Sequence, residues 1–144
     1  MTAKRIDVHA AAPSVHAAMV GVDAAASGPL DPALTELVRI RVSEINGCAV
    51  CLSLHTRAAV TTGEGQERLR ALASWRESPL FTGPERAALG LAEAMTLITA
   101  VGVPDEVVAA AREHFDETRL THLVWTIAAI NAWNRVGIAA SAPA

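Results

Sequence analysis

Tyrosine is absent from this chain, and its two phenylalanines and three tryptophans bring the aromatic share to only 3%. The hydrophobic content, 51%, therefore rests largely on alanine, leucine and valine, a mixture that leans towards helix. Charge is scarce as well, at 19% against the roughly 25% usual for soluble domains. A small helical domain with that balance is expected to bury further surface by self-association. No Lys/Arg run occurs and the formal net charge is -3, which argues against a general nucleic-acid or anionic-membrane role. No apolar run approaches the roughly 20 residues that span a bilayer. The N-terminus, Met1 to Asp7, is basic, but His9, Pro13, Ser14 and His16 interrupt the residues after it, so a signal-peptide core is missing. The expected location is cytoplasmic. Neither G-x-G-x-x-G nor a βαβ pattern occurs, so no flavin or nicotinamide cofactor is expected.

Only two cysteines are present, and they stand together as Cys48-x-x-Cys51 with His55 four residues on. In a cytosolic chain that pairing points to redox chemistry or metal binding rather than a permanent staple. On a helix, Cys48, Cys51 and His55 fall at i, i+3 and i+7 and share a face. A thiol at its free pKa of about 8.5 is mostly protonated at neutral pH, and only the thiolate attacks peroxide or disulfide. Gly47 ends one helix and sets Cys48 at the start of the next, where free N–H groups favour an anion. His55, one turn beyond Cys51, is placed to take its proton. Two acids compete to support it: Glu44, one turn before Cys48, and Glu36, twelve residues before Cys48 on the preceding helix. Spacing alone does not choose between them.

Other readings of these residues exist. C-x-x-C by itself is half of a zinc site, and His55 with one glutamate would bring it to a four-ligand set, yet no second C-x-x-C or H-x-x-x-H pair is present to supply a closed structural site, so no metal is expected. Two buried, inert cysteines on an alanine-rich helix are the plainest alternative. His9, His16, His114 and His122 read as ordinary solvated or partly buried residues. Trp75, Trp125 and Trp133 read as core or interface, and Glu64 to Arg70 as a solvated face.

The helical pattern runs the length of the chain, giving an all-α expectation with one domain over residues 1–144 and an extended arm over 1–12. Pro13 to Val22 reads as a short helix with Val15, Ala18, Met19 and Val22 inward, then Ala24 to Leu30 as a loop. Asp31-Pro32 is a helix start, and Asn46-Gly47 its stop. A helix from Cys48 to Thr62 follows, then one from Gln66 to Trp75 with Leu69, Leu72 and Ala73 inward. Thr82 and Glu85 form a capping box ahead of a helix carrying Ala88, Leu91, Ala92, Met95 and Ile98. Further helices are expected from Pro104 to Phe115 and from Thr118 to Ala139, the last burying Leu120, Leu123, Val124, Ile127, Ala128 and Val136.

The stretch from Leu37 to Cys51, followed by His55, resembles the core of the AhpD-like alkylhydroperoxidases, within the carboxymuconolactone decarboxylase superfamily. Phe81 to Leu89 resembles the segment opening that family's next long helix, and Ile127 to Arg135 its C-terminal signature, so the likeness spans roughly residues 30 to 140. The resemblance implies an all-helical subunit assembling as trimers or hexamers, and thiol-dependent reduction of a hydroperoxide. It implies that Cys51 attacks the peroxide, that Cys48 resolves the sulfenic acid as a disulfide, and that Glu36 and His55 relay the proton. That is what sets Glu36 ahead of Glu44. An external thiol or dithiol is the implied reductant. One position departs from the pattern: Val50 stands where similar proteins carry an aromatic residue or histidine, and it cannot relay a proton. Weak turnover is expected from it, which leaves a redox-responsive oligomer, or a general disulfide oxidoreductase, as the rival reading. Lactone decarboxylation follows from the wider superfamily alone and has no need of the dithiol.

Overall fold

A computed structural model of the chain describes residues 5–140, and within them every regular element is helical. In chain order these are α1 (Pro13–Ser27), α2 (Pro32–Asn46), α3 (Ala49–Thr61), α4 (Gln66–Ala71), α5 (Gly83–Thr96), α6 (Ile98–Val101), α7 (Asp105–Arg112) and α8 (Glu117–Ala140). A 3-10 turn over Leu72–Ser74 extends α4. Among the described residues, no helix is long and apolar enough to cross a membrane.

Helix α2 is the axis of the molecule, packed against α3, α5 and α8. Its start is fixed by the Asp31 side chain, which accepts from the Leu34 N–H at 3.0 Å, with Pro32 in the first turn. Three stripes run along it. Leu34, Val38 and Val42 join Leu91 of α5 and Leu123 and Ile127 of α8 in one apolar cluster. Leu37 and Ile40 join Leu72, Trp75, Phe81 and Leu89 in a second. The third stripe, Thr35, Glu36, Arg39 and Ser43, is polar and equally buried. Each fully buried aliphatic side chain stabilises by about 1.5–3 kcal/mol, and these clusters offset the cost of burying that polar stripe.

Several expectations are corrected. Helix α1 runs on to Ser27, because Ala24–Ala26 are good helix formers and the break comes only at Gly28-Pro29. Its inward face is His16, Met19, Asp23 and Ala26, while Val15 and Val22 point outward. Apolar spacing misled there because the buried face carries polar residues. The arm is not extended beyond Lys4: Asp7 accepts from the Ala10 N–H at 2.9 Å and folds it into a turn. The start of the arm, Met1–Lys4, lies outside the described residues. Ala73 is exposed and Trp75 takes its place in the core. Ile98 is exposed because α5 ends at Thr96. On α8, Val124, Ala128 and Val136 face outward, and the buried line instead includes Thr126, Ala129, Ile130 and Asn134. A helix apolar on most sides offers periodicity no means of choosing its face. Finally, Glu64 to Arg70 is more than a solvated face: Arg68 bonds Glu64 and Glu85 at 2.7 Å each and lies over the Phe81 ring.

Candidate active site

Gly47 makes the site local. Its φ of 72° lies in the left-handed region, closing α2 and turning the chain straight into α3. Cys48 is the N-cap of α3, and its Sγ accepts from the Cys51 N–H at 3.4 Å. Cys48 and Cys51 are joined as a disulfide, with their Cα atoms 5.3 Å apart, inside the usual span for such a bond. Both are buried, but only Cys51 reaches an open cleft of about 430 Å³. The walls come from the arm (Val8, His9), α1 (His16, Val20, Asp23), α3 (Val50, Cys51, Leu54, His55) and α8 (Trp133, Val136, Gly137).

The polar stripe of α2 lies beneath. Glu36 Oε2 is 2.8 Å from His55 Nδ1, and Glu36 Oε1 accepts from Arg39 Nη1 at 2.7 Å. Arg39 Nη2 bridges onward to both carboxylate oxygens of Asp23 at 3.1 Å. Burial pushes the Glu36 carboxyl up, but its hydrogen bond to His55 and the charge of Arg39 outweigh that and hold it below the ordinary range. An ionised carboxylate only accepts, so Nδ1 of His55 is the donor to Glu36, and Nε2 is the ring nitrogen left to act as a base. Glu44 takes no part: its partner is Arg41 at 3.5 Å, and burial raises its pKa. Among the described residues no group of three His, Cys, Asp or Glu side chains is arranged to hold a metal ion.

A second polar system locks α8 to the dithiol turn. Asn46 Nδ2 donates to Asn131 Oδ1 and Asn134 Oδ1, each at 3.0 Å. Asn134, fully buried, donates in turn to Ser43 Oγ at 3.0 Å. The helix then passes so close that a Cβ on Gly137 would sit 3.2 Å from Cys48 Sγ and 3.3 Å from Cys51 Sγ.

The structure therefore brings together Cys48, Cys51, His55 and Glu36 and leaves Glu44 aside. Val50 is 63% exposed at the cleft. Sequence reasoning passed over His9, His16, Asp23 and Gly137, which lie far from the motif in the chain. Asn131 and Asn134 carried a usable signal, since two asparagines one turn apart inside an apolar helix have to find buried partners.

Comparison with known proteins shows the family and the fold. The sequence profile of the carboxymuconolactone decarboxylase family matches residues 13–94. YdfG of Bacillus subtilis, an uncharacterized protein, is 46% identical over 72% of this chain and 71% of its own length. YnjA of Escherichia coli, likewise uncharacterized, is 34% identical over 81% of this chain, which spans 63% of YnjA. A crystal structure from Agrobacterium tumefaciens, described as a protein of unknown function and a candidate antioxidant defence protein AhpD, superposes with a TM-score of 0.91. It is 32% identical over 98% of this chain and 99% of that one. A peroxidase-related protein of Silicibacter, at a TM-score of 0.77 and 21% identity over 88% of this chain and 68% of that one, shares the fold. With a helical fold, a C-x-x-C disulfide and a family match across most of the first five helices, the chain belongs to the carboxymuconolactone decarboxylase family, in its AhpD-like branch.

Proposed function

We propose that the protein is a thiol-dependent peroxidase that reduces organic hydroperoxides and is recharged by an external thiol or dithiol. The observation that carries this reading is a disulfide whose Cys51 opens onto an apolar cleft beside a histidine held by a buried carboxylate. In the reduced enzyme His55 Nε2 takes the Cys51 proton, and Glu36 stabilises the imidazolium that results. The Cys51 thiolate attacks the terminal peroxide oxygen. An S–O bond forms, the O–O bond breaks, sulfur loses two electrons, and the electron pair leaves on the alkoxide, which is protonated to the alcohol. The Cys48 thiolate then attacks Cys51 sulfur, and hydroxide leaves as water with one further proton. An external thiolate reopens the disulfide at Cys51, the sulfur in the cleft. Cys48 leaves onto the N–H of Cys51, already its hydrogen-bond donor at the start of α3, so its thiolate is stabilised as it forms.

The test is hydroperoxide consumption by wild type, Cys51→Ser and Cys48→Ser with a dithiol donor. Cys51→Ser is expected to lose turnover, and Cys48→Ser to stop at a trapped sulfenic acid. Full turnover by Cys51→Ser would sink the assignment. A general disulfide oxidoreductase, or an oligomer that merely responds to oxidation, is favoured by one observation, the apolar Val50 beside Cys51. Stoichiometric oxidation without turnover would select one of these.

The proposed working unit is a homo-oligomer, a trimer or hexamer of single-domain subunits acting in the reducing cytoplasm. Its support is exposed apolar surface: Trp125 is 58% exposed, and Val22 lies beside it along a shallow groove. Sedimentation at a single monomer mass would refute it.

A further inference from the structure

Two imidazoles other than His55 wall the cleft, and the peroxidase steps give them no task. His16 sits half-buried on α1, with its ring edge-on to Trp133 at 5.4 Å between centroids. His9, from the arm, packs edge-on against His16 at 4.2 Å. The ring nitrogens of His55 and His122 are hydrogen-bonded to Glu36 and to the Ala26 carbonyl. Those of His16 and His9 have no hydrogen-bond partner among the described residues. A half-buried ring, oriented by aromatic packing on two sides and turned to a cavity without a protein partner, is a group left for whatever occupies that cavity.

Attack on a peroxide creates demand for such a group. The S–O and O–O bonds lie nearly in line during the displacement, so the departing oxygen is the atom farther from Cys51. His55 shares α3 with Cys51 and is occupied with the thiol proton, whereas His16 belongs to a different wall. We propose, resting on the peroxidase reading, that His16 donates the proton to the departing oxygen as Cys51 attacks, and that His9 positions it. The imidazolium of His16 loses one proton, the alkoxide becomes the alcohol, and solvent restores the proton before the next turnover. Val50 is then no deficit, because a second imidazole reaches the cleft from α1 and the arm rather than from the C-x-x-C loop.

The test separates proton donation from mere architecture by changing the leaving group. Pre-reduced protein is oxidised in a single turnover by tert-butyl hydroperoxide, which expels an alkoxide, and by peracetic acid, which expels a carboxylate that needs no proton. His16→Ala is expected to slow the first about 10²-fold and to leave the second close to wild type. His9→Ala should show the same split in smaller size. Should thermal melting show His16→Ala to be unfolded, His16→Gln carries the same comparison. Equal losses with both oxidants, or rates with tert-butyl hydroperoxide within about twofold of wild type, would overturn the assignment to His16 while leaving the peroxidase reading intact. Failure of wild type itself to react with either oxidant would overturn both.

Discussion

Two buried glutamates, Glu36 and Glu93, are each 8% exposed, and burial pushes both carboxyls up, yet hydrogen bonds and charge hold them below the ordinary range: His55 and Arg39 at Glu36, and Arg76, Trp75 and Arg41 at Glu93. Their surroundings differ in one respect. Glu93 is gripped by Trp75 Nε1 at 2.8 Å, Arg41 Nε at 2.9 Å and Arg76, none of which gives up a proton at neutral pH. Glu36 has a guanidinium on one oxygen and, on the other, an imidazole that reaches a cleft. One carboxylate rivets α5 to α2 and to the Trp75 turn; the other can pass a change of charge to a neighbour that opens onto the cleft. Burial and a shifted pKa are therefore insufficient marks of a catalytic acid. What separates the two is whether any partner is itself titratable and open to a cavity.

The largest expected effect breaks the structural member of the pair. Glu93→Ala strands three donors, two of them charged, and is expected to cost about 3 kcal/mol in a denaturant titration. Hydroperoxide turnover measured well below its unfolding midpoint should stay close to wild type; a loss as large as that of Glu36→Gln would dissolve the contrast. Glu36→Gln is expected to lower turnover roughly tenfold and to shift the pH profile of Cys51 alkylation upward, since His55 loses the charge that favours its protonation. Arg39 keeps Asp23 in that variant, so the stability loss should be smaller, about 1–2 kcal/mol. An unchanged alkylation profile would remove Glu36 from the proton path.

Gly137→Ala comes next, at about 1 kcal/mol, because its methyl group crowds both sulfurs at once. Comparing melting of the oxidised and reduced forms would locate that cost. Glu44→Gln should be the mildest. Its carboxyl is raised by burial, so ionisation works against folding at neutral pH, and the variant should be neutral or a few tenths of a kcal/mol more stable. Acid has the opposite sign at Glu36, Glu85 and Glu93. Their lowered carboxyls stabilise above the unfolded glutamate value of about 4.3, and that contribution is lost as pH falls through the lower folded values. Melting temperature followed from pH 6 to 3 should fall steeply, and less so in Glu93→Gln.

The elements of the fold were legible wherever backbone chemistry dictates them. Asp31-Pro32, Asn46-Gly47 and the Thr82/Glu85 box begin or end helices where expected. Faces were legible only where the buried side is mostly apolar, which is why α5 read well while α1 and α8 did not. Glu36 emerged ahead of Glu44 only through family resemblance, since an acid twelve residues away acquires its meaning from the turn at Gly47. His16 and Gly137 had no local signature at all. Their place comes from the fold, which brings His16 of α1 to the cleft and Gly137 of α8 against the disulfide.

The Asn46-Gly47 junction carries one more consequence, for how the protein ages. Asparagine before glycine is the sequence context in which the side-chain amide most readily cyclises onto the next backbone nitrogen and hydrolyses to a carboxylate. Here the Asn46 amide is held by Asn131 and Asn134, and the Gly47 N–H by the Glu44 carbonyl at 3.3 Å, so the folded protein keeps the two reacting groups engaged elsewhere. Should deamidation occur in a partly opened state, the new carboxylate would face two amide oxygens where a donor had stood, and α8 would lose its hold on the dithiol turn. The durability of the site over days is thus guarded by the same amide that assembles it.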